Sequence, residues 1–157
     1  MSKRGAIRWD EEASAAVNAR RALPTLVTDY FAGVRKLLAG DPPPAELHAI
    51  RLASKRVRYT LELFRPCYGP GLESRLATLR RLQQVLGEVN DCAAAERLIQ
   101  KVMPASPSRR GVARFLRGRA LAKAAELRQE WREVFDAPGR EQWWVLYLAR
   151  NARAQKS

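Results

Sequence analysis

A short segment that begins at His48 combines side chains able to bind anions with the spacing of an α-helix. Four of its basic residues follow one another at intervals of three, four and three: His48, Arg51, Lys55 and Arg58. At 100° per residue these intervals keep the side chains on one face of a helix. Like charges in adjacent turns repel by about 0.2 to 0.5 kcal/mol per pair, and a bound anion would remove this repulsion. This basic row therefore predicts an anion-binding face.

The residue types of the basic row suit an extended polyanion. An arginine guanidinium can bind two phosphate oxygens at once, whereas Lys55 offers a compact point charge. His48 is the only histidine of the chain, and it can donate one hydrogen bond when neutral and two when a bound anion keeps it protonated. Neighbouring cations stand about 5 to 6 Å apart along the helix, so successive parts of one flexible chain can reach them.

A solvated basic face is the alternative interpretation, because charged residues on one side of a helix usually face water. Two features favour binding: His48 is aligned with the cations, and the acidic residues near them in sequence are Glu46 and Glu62. Apolar residues occupy a different sector of the same helix and would pack against the core. These are Leu47, Ile50, Ala53, Val57, Leu61 and Phe64.

Other kinds of chemistry find little support in the sequence. Cys67 and Cys92 are the only cysteines and give no zinc-ligand spacing with the single histidine. The chain has no phosphate-binding Gly-x-x-x-x-Gly-Lys-Ser/Thr loop and no acidic cluster spaced for magnesium. We therefore expect a protein that is not an enzyme, with no metal and no cofactor. An enzyme that uses His48 as acid, base or nucleophile on a phosphoanhydride stays as a weaker alternative.

The charge balance indicates an anionic partner without choosing one. Lys and Arg total 29 against 16 Asp and Glu, so the formal net charge is +13. Non-specific nucleic-acid binding is expected at this charge, but no zinc-finger spacing or helix-turn-helix pattern supports specific readout. Docking of an acidic protein stays open. No signal-peptide core or membrane-length apolar run is present, so we expect a cytoplasmic protein with no membrane partner.

The sequence predicts that all the elements that position the basic row are helices. Ala, Leu, Arg and Glu are frequent, and breakers fall in clusters. We expect one all-α domain over residues 1–157, an antiparallel helical bundle of about five to six helices. Asp10 would cap a first helix that ends near Leu38, with a kink or break at Pro24. A second helix would run from Pro44 to about Phe64 and carry the row.

The later boundaries follow from glycine, proline and capping residues. After a break over residues 66–71, a third helix would cover 72–86 and end at Gly87. Asn90 or Asp91 would cap a fourth helix that ends near Met103. A fifth would span 108–135, and a last helix would carry the aromatic residues, with a frayed basic tail over 150–157. The aromatic residues are Trp143, Trp144 and Tyr147.

Three segments resemble the CHAD family, whose name denotes a conserved histidine α-helical domain. LHAIRLASKRVRYTLELF, over residues 47–64, resembles the family's histidine motif. LATLRRLQQVLGEVND, over 76–91, resembles its leucine-rich helix, although Asn90 stands where an arginine is common. RFLRGRALAKAAELRQEWREVF, over 114–135, is similar to its long downstream helix. The resemblance covers about residues 12–145.

The resemblance implies a non-catalytic helical domain that binds inorganic polyphosphate on a basic surface and can associate with polyphosphate granules. It carries the family's anion-binding roles to the basic row and, less directly, to Arg80 on the next helix. Arg35 and Lys36 match by general position only. Further cations could widen the surface: Arg75, Arg81, Lys123 and the cluster from Arg109 to Arg119. For that cluster, anion binding and simple solubility stay equally open.

One departure from the family concerns size. Family members usually carry two related four-helix units that face each other across a basic channel, whereas this chain resembles one half of such a domain. Its Lys-Arg-Val-Arg-Tyr segment looks more like a second unit than a first. We therefore expect a homodimer that rebuilds the channel, because two-fold pairing is the commonest oligomeric symmetry. The aromatic segment of the last helix could form the interface or pack within one chain.

Overall fold

The computed structural model describes residues 7–154 and is helical in all its regular elements. The prediction of an all-α bundle is confirmed. A 3₁₀ turn over Pro44–Leu47 leads into the second helix, and a π turn over Trp131–Phe135 follows the fifth. The six α-helices are α1 Ala15–Ala39, α2 His48–Leu63, α3 Arg65–Tyr68, α4 Gly71–Val102, α5 Pro107–Glu130 and α6 Arg140–Arg150.

The first helix begins later than predicted. Ser14 is its cap, since the Ser14 hydroxyl accepts a hydrogen bond from the Val17 amide at 3.3 Å. The prediction that Asp10 caps α1 is wrong, because the Asp10 carboxylate pairs with Arg21 at 3.1 Å. The backbone of Asp10 is instead held by the buried Asn18 side chain, which accepts from its amide and donates to its carbonyl. The predicted end near Leu38 is confirmed, with Gly40 as the C-cap.

Pro24 lies inside α1, and the helix continues through it. The predicted break at this proline is therefore wrong. A proline in a helix interior costs about 3 kcal/mol, because it removes one hydrogen bond and crowds the preceding turn. Leu23, Val27 and Phe31 are each at most 1% exposed, and burying side chains of this size stabilises by about 1.5 to 3 kcal/mol each. Core packing thus outweighs the local cost.

The predicted third and fourth helices are one helix, α4, which runs through Gly87. The predicted C-cap at Gly87 and the caps at Asn90 or Asp91 are therefore wrong. A glycine inside a helix costs about 1 kcal/mol relative to alanine. The buried Leu82, Leu86 and Val89 surround this glycine on the core face, and their burial is worth more than that cost.

The predicted frayed tail is wrong for the part that the structure describes. The Arg153 amide donates to the Cys67 carbonyl at 2.8 Å, and the Arg20 guanidinium donates to the Ala152 carbonyl at 2.6 Å. Ala152 is fully buried. Residues 155–157 of the predicted tail lie outside the described residues. The chain after α6 therefore packs on the base of the bundle beside α3, a short helix that the predicted break at 66–71 had not included.

An aromatic cluster forms the centre of the core where α1, α6 and the π turn meet. Phe31 lies 5.3 Å from Trp131 between ring centroids and 6.5 Å from Trp144. Trp144 is 2% exposed, and Tyr147 stacks on Tyr68 at 5.6 Å. Packing within the chain therefore accounts for Trp144 and Tyr147, and neither offers a surface for a second copy.

Candidate anion-binding surface

Helix α2 is fixed by its inner face, which leaves the basic row outside. Ile50, Val57 and Leu61 are at most 3% exposed, which confirms the predicted apolar sector. The fully buried Ser54 shares a hydrogen bond with the Tyr30 hydroxyl at 2.8 Å and donates another to the Ile50 carbonyl. Burial raises the pKa of Tyr30, so this hydroxyl stays neutral. The rotation of α2 about its axis is thus set by both apolar and polar contacts.

Helices α2 and α4 run antiparallel and form the two sides of a groove. Near the end of α2, Glu62 lies 3.5 Å from Arg80 of α4. At the start of α2, His48 lines a cavity of about 260 Å³ together with Asn90 and Arg97 of α4. Residues late in α2 thus lie beside residues early in α4, and residues early in α2 lie beside later ones. The basic row therefore lies along one continuous stretch of α4, from Arg80 to Arg97.

The cavity at His48 adds a cation that sequence reasoning missed. His48 is exposed, and Arg97 lines the same cavity from α4. Arg97 follows Asn90 by seven residues, which is two helical turns. Both residues belong to the segment predicted as the fourth helix, but no local spacing shows that this segment packs beside the start of α2. A ligand that reaches His48 would therefore also meet the Arg97 guanidinium.

Arg51 and Lys55 form the middle of the basic row. Both side chains are half-buried. Neither has a carboxylate within 4.0 Å among residues 7–154. Their charges are therefore available to an anionic ligand, and partial burial lowers the local dielectric, which strengthens such a contact.

Arg58 is held in place by its neighbours and is partly neutralised. Its guanidinium lies 3.0 Å from the Glu62 carboxylate and 4.6 Å from the centre of the Tyr59 ring. Its Nε atom is buried without a hydrogen-bond partner in the described structure. An incoming anion could satisfy the remaining donors without having to order the side chain, because the ring and the carboxylate already do so.

Arg80 belongs to the same network as Arg58. It shares the Glu62 carboxylate at 3.5 Å and lies 3.9 Å from Glu73. Glu62 therefore bridges one arginine of α2 and one of α4. The structure thus brings Arg80 to the end of the basic row, and it places one acidic side chain where a polyanion would compete with it.

The α4 side of the groove includes a residue without a side chain, Gly87. Gly87 lies on α4 between Arg80 and Asn90, the residues that meet the two ends of α2. A Cβ atom built on Gly87 would meet nothing within 4 Å. The glycine therefore leaves open space on α4 between the contacts that α4 makes with the two ends of α2.

Arg35 and Lys36 stand apart from this arrangement. Arg35 pairs with Asp136 at 2.5 Å and with Glu141 at 2.6 Å, beside α6. Its hydrogen bond to Asp136 raises the pKa of Arg35. Lys36 is exposed, and no contact in the described part of the chain joins it to the basic row. Arg35 is therefore engaged in a structural ion-pair network.

Arg75 is buried, so the prediction that it widens the surface is wrong. Its guanidinium lies 3.5 Å from the centre of the Trp143 ring and 3.8 Å from that of Tyr147. It donates to the carbonyls of Gly71 and Trp143. Burial lowers the pKa of Arg75 to about 10, which still leaves it charged near neutral pH. Two aromatic faces and two carbonyls thus stabilise a cation that no carboxylate accompanies in the described residues.

The remaining basic residues divide between structural roles and open surface. Arg81 pairs with Glu130 at 3.0 Å across α4 and α5. Within the Arg109–Arg119 cluster, Arg109 donates to the Met103 carbonyl and Arg117 pairs with Glu96. The exposed members that have no carboxylate within 4.0 Å in residues 7–154 are Arg110, Arg114 and Arg119. The cluster is therefore not one uniform binding surface.

The architecture defines a small helical bundle that displays basic side chains along a groove between two antiparallel helices. The family model described as CHAD domain matches residues 3–100, and the chain belongs to this family. The matched range includes the basic row, Arg80 and Arg97. It ends before α5, so it does not cover the third segment on which the resemblance to about residue 145 depends. No curated protein and no solved structure matches the chain.

Among residues 7–154, no three His, Cys, Asp or Glu side chains come together as a metal-binding group. Within the same residues, no helix combines the length and the apolar character that a membrane crossing requires.

Proposed function

We propose that the chain binds inorganic polyphosphate, without catalysis, along the basic row of α2. The observation that carries this proposal is the unpaired middle of the row: Arg51 and Lys55 have no carboxylate within 4.0 Å in the described residues. His48 and Arg97 extend the positive charge beyond the start of α2. Membership of the CHAD domain family supports the same ligand. Bound to polyphosphate, the protein would associate with cytoplasmic polyphosphate granules.

Polyphosphate suits the groove better than nucleic acid does. A polyphosphate chain offers repeated anionic oxygens and no bases, so charge and hydrogen-bond donors are the properties by which a protein can recognise it. The groove supplies both through Arg51, Lys55 and His48. Sequence-specific nucleic-acid binding would require an element that reaches base edges, and the exposed Tyr59 ring is already occupied on one side by Arg58.

The environment of His48 supports binding rather than turnover. A histidine that acts as acid, base or nucleophile needs a partner that orients it or exchanges protons with it. The polar neighbours of His48 in its cavity are Asn90 and Arg97, and neither side chain exchanges protons near neutral pH. We therefore propose that His48 donates hydrogen bonds to the ligand.

We further propose that two copies pair around the polyphosphate chain. The basic row lines one side of the ligand only, and exposed apolar side chains lie beside it on α2: Leu52, Tyr59 and Leu63 are 52%, 50% and 78% exposed. A polyanion cannot cover apolar groups, but a second protein surface can. Sedimentation at tens of micromolar protein should show a dimer when polyphosphate is present. A strict monomer with and without the ligand would contradict the pairing.

The test of polyphosphate binding compares two double variants with the same change of charge. Arg51→Ala with Lys55→Ala removes the middle of the row, and Arg110→Ala with Arg114→Ala removes exposed cations from α5. Calorimetric titration at about 0.15 M salt with long-chain polyphosphate should show at least about tenfold weaker binding for the first variant. The second should stay within about threefold of the wild type, since its cations lie on another helix.

Duplex DNA at matched charge concentration provides the comparison ligand. Wild-type protein should bind polyphosphate more tightly than DNA, and the Arg51/Lys55 variant should lose that preference. Equal losses in the two double variants would mean that net charge alone drives binding. Release of phosphate that disappears in His48→Ala would replace the binding proposal with an enzymatic one.

A further inference from the structure

The C-terminal part of α4 and the N-terminal part of α5 form a two-helix hairpin that extends beyond the bundle core. Ion pairs fix the register of the two helices: Glu88 with Lys123 at 2.6 Å and Glu96 with Arg117 at 2.5 Å. After Cys92, no residue of α4 is buried. In α5, Ala113 and Ala120 are the buried residues between Pro107 and Ala120. This distal hairpin therefore packs mainly against itself.

One face of the distal hairpin changes from polar to apolar along both helices. On α4 a stripe at intervals of four and three residues reads Gln84, Glu88, Asp91, then Ala95, Leu98, Val102. On α5 the corresponding stripe reads Lys123, Arg119, then Leu116, Val112. The register set by the ion pairs brings the two changes to the same level of the hairpin. A hairpin that only meets water would keep its outer face polar along its whole length.

The apolar part of this face is exposed. Leu98 and Val102 of α4 are 58% and 64% exposed, and Val112 and Phe115 of α5 are 40% and 65% exposed. We call these four residues the distal apolar face. Large apolar side chains that are exposed together mark interaction sites. Leu98, Val102 and Val112 belong to the two stripes, whose four-three spacing is that of a helix seam in a coiled coil, and Phe115 borders the α5 stripe beside Leu116. The shape therefore fits a third helix laid along the two.

The charge around the distal apolar face is positive. Residues 91–120 contain seven Lys or Arg and two Asp or Glu. Lys101 and Arg119 border the face, and neither has a carboxylate within 4.0 Å in the part of the chain that the structure describes. Glu88, at the proximal end, is held by Lys123, which together with Arg119 lowers the pKa of Glu88. A second copy would bring like charges together, whereas an acidic partner would complement them.

We propose that the distal apolar face docks an amphipathic helix of a partner protein whose apolar seam is flanked by Asp and Glu. The seam would pack between α4 and α5, and the acidic flanks would meet Lys101 and Arg119. From Ala95 to Val102 the apolar part of the α4 stripe spans about 10 Å of helix, or two turns. The contact is therefore small, and affinity in the micromolar range is expected. This site does not involve the basic row.

The test uses the full chain and a labelled synthetic peptide of about three heptads, with Leu in the seam and Glu beside it. Fluorescence anisotropy should show binding that is at least about tenfold weaker for a scrambled peptide of the same composition. Leu98→Ser with Phe115→Ser should weaken binding of the ordered peptide to a similar extent. Leu52→Ser with Leu63→Ser removes exposed leucines from α2 and should leave binding unchanged. All four positions are exposed, so circular dichroism should show that both variants fold.

Three outcomes would overturn the proposal. Equal binding of the ordered and scrambled peptides, or equal binding by the Leu98/Phe115 variant, would mean that charge alone attracts the peptide. Self-association that the Leu98/Phe115 variant abolishes would assign the face to a second copy. Binding to phosphatidylcholine–phosphatidylglycerol vesicles that depends on Phe115, without peptide binding, would assign it to a lipid surface. Polyphosphate affinity should be the same in the Leu98/Phe115 variant as in the wild type, because neither residue belongs to the basic row or to the proposed pairing surface of α2.

Discussion

At the scale of single residues, Glu62 sets the charge at one end of the basic row. Its carboxylate lies 3.0 Å from Arg58 and 3.5 Å from Arg80. One acidic group therefore neutralises part of the charge of two arginines on different helices. It also holds both guanidinium groups near the groove. These two effects act in opposite directions on the affinity for an anion, and an isosteric substitution can separate them.

We expect Glu62→Gln to tighten polyphosphate binding by about threefold, because an amide keeps the size of the side chain and removes the competing charge. Calorimetric titration measures the change. Glu133→Gln is the matched control, since it alters the net charge equally at the π turn, away from α2. Weaker binding in Glu62→Gln than in Glu133→Gln would show that Glu62 acts mainly by positioning Arg58 and Arg80.

The residues of the surface differ in how far the sequence could predict them. His48, Arg51 and Lys55 share a face because they belong to one helix, and their spacing contains that information. Arg97 joins them through a cavity between two helices, which no local spacing describes. Arg75 was misassigned because its aromatic partners lie on α6, far along the chain. Local periodicity predicts the face of a helix, but it does not predict what covers that face.

At the scale of elements, local sequence signals predicted a helix boundary correctly only where the contacts with the core agree with them. Helix α1 ends near Leu38 as expected, with Gly40 as its C-cap, since a run of prolines follows and core residues do not continue the pattern. Gly87 does not end a helix, because apolar residues on both sides of it continue one buried stripe. Pro24 does not break α1 for the same reason. Breakers end helices in this chain only where the core also ends.

Gly87 offers a test of the balance between the cost of a glycine inside a helix and the gain from burying its apolar neighbours. We expect Gly87→Ala to raise the free energy of unfolding by about 1 kcal/mol, because alanine favours the helix and a Cβ atom meets nothing within 4 Å there. Urea denaturation followed by circular dichroism measures the change. Gly139→Ala is the contrasting control and should lower stability, since Gly139 has a φ of 80°. A loss of stability in Gly87→Ala would mean that the glycine is required by a close contact in the groove.

At the scale of the whole molecule, ion pairs with carboxylates determine where positive charge remains available to an anionic ligand. Many arginines are engaged structurally: Arg35 with Asp136 and Glu141, Arg81 with Glu130, and Arg117 with Glu96. Cations without a carboxylate within 4.0 Å, among the described residues, include the middle of the basic row and Arg110, Arg114 and Arg119 of α5. The net charge of +13 is therefore distributed unevenly, and two surfaces of different chemistry result.

The salt dependence of binding should reveal how much of this charge a polyphosphate chain uses. By analogy with nucleic acids, each phosphate contact contributes about −0.7 to −0.9 to the slope of log affinity against log salt concentration. Three contacts, from Arg51, Lys55 and Arg58, predict a slope of about −2 to −3. Calorimetric titration over a series of salt concentrations measures it.

The salt slopes of the two double variants should show where on the protein the polyphosphate contacts lie. Arg51→Ala with Lys55→Ala should reduce its magnitude by about 1.5, since two contacts are lost. Arg110→Ala with Arg114→Ala should leave it unchanged if the chain lies along α2. A reduction shared equally by both variants would mean that polyphosphate wraps over the whole basic surface, because counterion release then depends on total charge and not on the row.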